Sequence, residues 1–114
     1  MDEQGLDHNK EAGKELLLKK VTLDITGLLP TLKMMDAFAA DKSAKAYENY
    51  IDSLLNTPQY GEKMAVHWLD VARYADSYGY QDDNLRTQWP YRDWVIHAFN
   101  KNIPYGQFLT WQVA

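Results

Sequence analysis

The sequence predicts an all-α fold, an irregular bundle of about six helices with one long ordered loop. Three observations carry this expectation. Apolar residues recur at spacings of three and four in one segment after another. Proline, glycine, threonine and serine punctuate the joins between those segments. No stretch alternates apolar and polar residues for the length of a useful strand.

The first helix starts near Ala12 and turns Leu17, Leu18, Val21 and Ile25 inward. Gly27 is placed to end it in the left-handed conformation, and Pro30 prevents its resumption. Thr31 reads as the N-cap of a short second helix with Leu32, Met35, Phe38 and Ala39 inward, closing near Asp41. Ser43 is expected to cap the third, whose stripe is Tyr47, Ile51, Leu54 and Leu55.

Pro58, behind Thr57, opens the central helix, because a proline there gives up an amide that has no partner anyway. Its periodicity runs on to Asp76. Met64, Ala65, Trp68, Leu69, Val71, Ala72 and Ala75 share the apolar arc, while Lys63, His67, Asp70, Arg73, Tyr74 and Asp76 share the other. Residues 77–88 carry a glycine and several turn formers without helical period, which makes them a long loop. Pro90 starts the fifth helix, with Trp94, Val95, Ala98 and Phe99 inward and Asn100–Asn102 as its end. Pro104 opens the last, with Tyr105, Phe108, Leu109 and Val113. Residues 1–11 read as a flexible N-terminus and 12–114 as a single helical domain. The apolar pattern is still running at Ala114, so the domain is expected to be truncated there.

Composition excludes several classes of function. A net charge of −4, with lysines interleaved among acids, argues against a nucleic-acid partner. No apolar run reaches the roughly 20 residues of a transmembrane helix. With no cysteine there is no disulfide framework, thiolate metal site or C-x-x-C-H haem attachment in these residues.

The densest chemistry lies between Tyr60 and Trp94. All three arginines (Arg73, Arg86, Arg92) fall there, with Asp70, Asp76, Asp82, Asp83 and Asp93 and eight of the 15 aromatic residues. Guanidinium forks among short carboxylates suggest an ordered polar lattice. On a continuous helix His67, Asp70, Arg73 and Asp76 follow one another every three residues, so Asp70 and Asp76 both reach Arg73. Loss of Arg73 is then expected to cost more stability than loss of Arg86.

His67, Asp70 and Arg73 are weak catalytic candidates, as an oriented acid/base pair with an anion-holding arginine. A structural network is the preferred reading, since such i,i+3 sets are common on helices. On the loop, Asp82 and Asp83 are read as turn caps in preference to Ca²⁺ ligands, because DSYGYQDDNLRT lacks the order of an EF-hand, and no metal site is assigned. Asp82, Asp83 and Asp93 as a glycosidase pair is a weaker reading. Tyr78, Tyr80, Asp82, Asp83 and Arg86 are the residues expected at a loop surface, whereas Trp68 and Trp94 are assigned to the core.

Three separated motifs, LLLKKVTLDITGLLPT, YGEKMAVHWLDVARYADSYGY and WPYRDWVIHAFNKNIPYGQFLTWQVA, resemble the domain of unknown function found in large planctomycete-type cytochrome c proteins. The likeness runs from about Gly5 to the last residue, over the N-terminal portion of that domain. It implies an exported or periplasmic parent in which this domain accompanies a C-x-x-C-H haem-binding domain and a second uncharacterised domain. Haem is implied only for parts outside these residues. The partners implied are the remaining domains of the parent chain, among them a haem-bearing one. His67, Asp70, Arg73, Tyr74, Asp76, Arg92 and Asp93 match signature positions. Leu32, Lys33 and Met34 depart from the family's proline and acidic residues, and Trp111 stands where glutamate is usual. The function expected is a helical accessory module. The alternatives are a hydrolase or oxidoreductase acting on polysaccharide-like substrates, and a structural scaffold.

Overall fold

A computed structural model of the chain describes residues 10, 12–80 and 82–113. Those residues form α1 (Lys14–Thr26), α2 (Leu32–Ala40), α3 (Ala46–Leu55), α4 (Pro58–Val71), α5 (Trp89–Asn100) and α6 (Tyr105–Val113). The only pairing of extended backbone among them is a single antiparallel bridge between Ser77 and Leu85. The all-α expectation holds. The expectations for residues 1–9, for Glu11 and for Ala114 lie outside the described residues.

Several helix ends form where the punctuation put them. Gly27 takes φ +73° and its N–H donates to the Leu23 carbonyl, closing α1. The Thr31 hydroxyl accepts from the Met34 N–H at 3.3 Å, capping α2. Pro58 and Pro90 both lie in first turns. Ser43, by contrast, does not cap α3. Its N–H is taken by the Asp41 carboxylate at 2.8 Å in the preceding turn, and α3 starts after Lys45 without a side-chain cap.

α1, α2 and α3 meet around Leu18, Val21, Phe38 and Leu54. Two threonines, Thr22 and Thr26, are buried with them. Each hydroxyl donates to the carbonyl four residues back at 2.7 Å, so neither is stranded, and Thr22 also bonds the Tyr50 hydroxyl at 2.8 Å. Tyr50 rather than Tyr47 faces this cluster, its ring 5.4 Å from that of Phe38. Leu32, Tyr47 and Leu55, expected inside, are exposed.

The second cluster is larger. Ala65 of α4, Val95 and Ala98 of α5 and Phe108 of α6 are buried, with Trp68, Leu69, Trp94 and Phe99 packed on them. Phe108 sits between three rings, edge-on to Trp68 at 4.8 Å, stacked on Trp94 at 5.4 Å and tilted against Phe99 at 5.8 Å. Tyr105 and Val113 of α6 point outward instead.

α4 and α5 run antiparallel, pinned at both ends. At one end the Asn100 carboxamide accepts from the Gly61 N–H at 2.9 Å and donates to the Pro58 carbonyl at 3.1 Å, tying the end of α5 to the first turn of α4. Gly61 is buried there, and a Cβ would overlap that carboxamide. At the other end the Trp68 indole donates to the Tyr91 hydroxyl at 2.9 Å, and Tyr91 donates to Gln112 Oε1 of α6 at 2.7 Å.

α4 stops five residues short of Asp76. The Arg73 N–H donates to the Asp70 carbonyl at 3.2 Å and the Tyr74 N–H to the Leu69 carbonyl at 2.9 Å, while Arg73 takes φ +55°. This is a Schellman closure with arginine at the position that glycine usually fills. α5 closes the same way: Asn102 has φ +48°, and its N–H and that of Ile103 donate back to the Phe99 and Ala98 carbonyls. Val71, Ala72 and Ala75 are therefore exposed, not part of the apolar arc.

The two clusters touch through α1 and α4, with the Lys63 side chain lying over Gly27. The radius of gyration is 19.1 Å, against about 13 Å for a compact chain of about 100 residues. The body is open, with both clusters flanked by uncovered apolar side chains.

Gly61→Ala is expected to destabilise by about 2 kcal/mol, since it must displace Asn100 and its bonds. Arg73→Gly is expected to stabilise by about 0.5–1 kcal/mol by removing the left-handed penalty. Urea midpoints check both, and an unchanged midpoint for Gly61→Ala would contradict the pinned contact.

Candidate functional site

The segment from Ala72 to Gln88 leaves α4 and returns to α5, and its backbone forms a short ribbon. The Arg86 N–H donates to the Asp76 carbonyl at 2.7 Å and the Tyr78 N–H to the Asn84 carbonyl at 3.1 Å, on either side of the Ser77–Leu85 bridge. At the tip, Gly79 takes φ +71° and its N–H donates to the Asp83 carboxylate at 2.8 Å. The Ser77 hydroxyl, then this amide, hold the Asp83 carboxyl below the ordinary aspartate range. Asp83 is thus the turn cap the sequence suggested. Asp82 is exposed and makes no side-chain hydrogen bond among the described residues.

Below the ribbon four side chains of the expected network converge. The Tyr74 hydroxyl donates to Asp76 Oδ1 in a short bond. Arg92 reaches the same oxygen at 4.0 Å and holds Asp93 Oδ1 through two nitrogens, at 3.0 and 3.1 Å. Asp76 therefore links the loop to the first turns of α5. The hydrogen bond to Asp76 raises the Tyr74 phenol pKa, and the bond to Asp93 raises that of Arg92. The network is a surface one: side-chain exposures of 40% at Arg92, 64% at Asp76 and 52% at Asp93 place it in water, not in a half-buried lattice. Such pairs orient a loop more than they stabilise a fold.

The other three signature residues are not part of this cluster. The ladder His67–Asp70–Arg73–Asp76 does not form, because the helix that would align it ends at Val71 and the left-handed turn at Arg73 redirects the chain. His67 and Asp70 are exposed on α4, and Arg73 is exposed at its end. Among the described residues none of the three makes a side-chain ion pair within 4.0 Å, and no carboxylate is stranded by the loss of Arg73. The arginine that clasps two acids is Arg92.

On the loop itself Arg86 lies over the Tyr78 ring at 4.9 Å, a cation–π contact. Tyr78, Tyr80 and Leu85 are 68%, 81% and 86% exposed, so a backbone held by hydrogen bonds carries apolar side chains into solvent. Sequence reasoning missed Asn100 and Gln112, whose amides join helices. It also missed an apolar groove of about 540 Å³ between α4, the end of α5 and α6, walled by Tyr60, Trp68, Phe99, Tyr105 and Phe108.

Among the described residues no three His, Asp or Glu side chains gather closely enough for a metal ion. Without cysteine, and with His67 and His97 exposed on different helices, these residues do not fit a haem attachment site. No helix among the described residues is long and apolar enough to cross a membrane.

A family model described as PSCyt2, protein of unknown function (DUF1549), matches residues 1–114. No curated protein and no solved structure matches the chain.

Two measurements check this geometry. The Tyr74 phenol should titrate above the usual value of about 10, and Asp76→Asn should bring it down toward that value, as read by ultraviolet difference titration. Because its folded pKa is the raised one, the Tyr74 contribution to stability is complete below pH ~10 and is lost as pH rises through the higher folded value. In thermal melts at low salt Arg92→Ala should lower the midpoint more than Arg73→Ala, and 1 M NaCl should shrink the gap. The reverse order would contradict the assignment of the clasp to Arg92.

Proposed function

The chain belongs to the PSCyt2 family, and on that premise we propose that it is a helical accessory module of an exported, cytochrome c-type multidomain protein. In this reading the module presents its loop, residues 77–88, to another domain of the parent chain, and a haem-bearing domain is the partner the family resemblance suggests. The module itself supplies positioning, not ligands to the haem.

The observation that carries the reading is the pairing of order with apolar exposure on that loop. Tyr78, Tyr80 and Leu85 project from a ribbon closed by backbone hydrogen bonds, capped by Asp83 and tied to α5 through Asp76 and Arg92. Holding such side chains in water has a cost, which burial against a partner removes at roughly 25 cal/mol per Å² of apolar surface. Trp89 and Val71, exposed where the two helices meet the loop, extend the same surface. The hydrolase or oxidoreductase reading would join His67 and Asp70 to Asp82 or Asp83, whereas Asp83 is engaged at the loop tip and no side-chain hydrogen bond joins His67 to any of these acids among the described residues.

A photo-crosslinking residue placed at Tyr80 in the intact parent protein tests the proposal. The expected product is a crosslink to a peptide from another domain, lost on competition with that domain added in excess. Crosslinks confined to this chain, or none, would count against it.

A further inference from the structure

We infer that the pocket beneath the loop is a binding site for a small oxyanion, a carboxylate or a sulfate- or phosphate-type group. It has a volume of about 130 Å³ and is lined by Arg73, Arg86 and Gln88, with Ala72, Ala75 and the rings of Tyr74 and Tyr91. This inference is independent of the docking reading.

Charge is the first argument. Arg73 and Arg86 both line one small pocket, no acidic residue lines it, and neither arginine has an ion-pair partner within 4.0 Å among the described residues, the Arg86 guanidinium lying over the Tyr78 ring. The third arginine, Arg92, is held by Asp93, with Asp76 at 4.0 Å. In a chain of net charge −4 with 16 acids, two arginines left without acids at one spot form a local positive site. The nearest carboxylate along the chain, Asp76, is turned to the Tyr74 hydroxyl and Arg92 and does not line the pocket.

The geometry of the donors is the second. A guanidinium presents a planar fork that matches an oxyanion through two parallel bonds, and the three polar residues lining the pocket, Arg73, Arg86 and Gln88, all have side chains that can donate. Tyr74 and Tyr91 contribute ring surface only, since their hydroxyls donate to Asp76 and Gln112. The size is the third. The pocket lies well under the ~300 Å³ at which sites for drug-sized ligands begin, so it takes one anionic group, not a whole sugar or cofactor.

Arg73 is held here by an unfavourable backbone. Its φ of +55° is a conformation in which arginine is strained and glycine is not. Glycine would close α4 better, and what arginine adds at that position is a cationic side chain on a residue that lines this pocket.

The test uses side-chain Nε–Hε resonances of the 114-residue chain, titrated with sulfate and separately with acetate at constant ionic strength in chloride. Saturable shifts at Arg73 and Arg86, with Arg92 unmoved, are expected for at least one of the two anions, and the tighter one tells a tetrahedral from a planar group. Arg86→Gln should weaken binding at least tenfold. Arg73→Gly should do the same while keeping or raising the melting temperature, which separates loss of the site from loss of the fold. Shifts that grow linearly without saturating, that appear equally at Arg92, or that persist at Arg86 with unchanged midpoint in the Arg73→Gly variant would overturn the inference.

Discussion

The structure turns on where α4 stops. An antiparallel partner, α5, has to return along α4 with Asn100 against Gly61 and Tyr91 against Trp68, and those two pins set how far the connecting chain can travel. The left-handed residue at Arg73 ends the helix at the level of Tyr91, three residues past Asp70. From that point the chain leaves the α4 axis, Asp76 comes to face the start of α5, and the ribbon from Ser77 to Leu85 stands on this base. Continuing α4 by one more turn and a half would carry Asp76 away from Arg92 and leave the loop unsupported.

With α4 ended there, the molecule divides into a framework and a surface. The framework is aromatic and neutral: Phe108 among Trp68, Trp94 and Phe99, with amide and hydroxyl groups closing the joins. The ionic groups lie outside it, partly solvated, where charge pairs direct a loop at little thermodynamic consequence. That division explains how a chain of this size can carry a dozen-residue connection in a defined shape without burying its tip. It also explains the openness of the body, because Tyr78, Tyr80 and Leu85 of the loop and Tyr105 and Val113 of α6 face outward rather than into either cluster.

Much of the fold was legible because its punctuation is chemical. Gly27, Thr31, Pro58, Pro90 and Pro104 each act through their own backbone or hydroxyl, and the helices begin or end beside them. The end of α4 carries no such mark. Arginine is a good helix former, the apolar spacing of WLDVARYA continues unbroken, and only the tertiary return of α5 overrides it. The candidate site suffered the same way: Tyr74, Asp76, Arg92 and Asp93 do assemble, but the ladder through His67, Asp70 and Arg73 assumed a helix that stops too early. Asn100 was invisible for a different reason. A polar residue in a last helical turn reads as solvent-facing, and nothing local shows that its amide bonds the first turn of another helix.

The backbone conformation at Arg73 decides the matter most directly. Three-bond HN–Hα couplings, together with amide exchange at Tyr74, report it in solution. A coupling consistent with positive φ at Arg73, with the Tyr74 amide protected by the Leu69 carbonyl, is the result this account predicts. Uninterrupted helical couplings and shifts from Pro58 through Asp76 would contradict it.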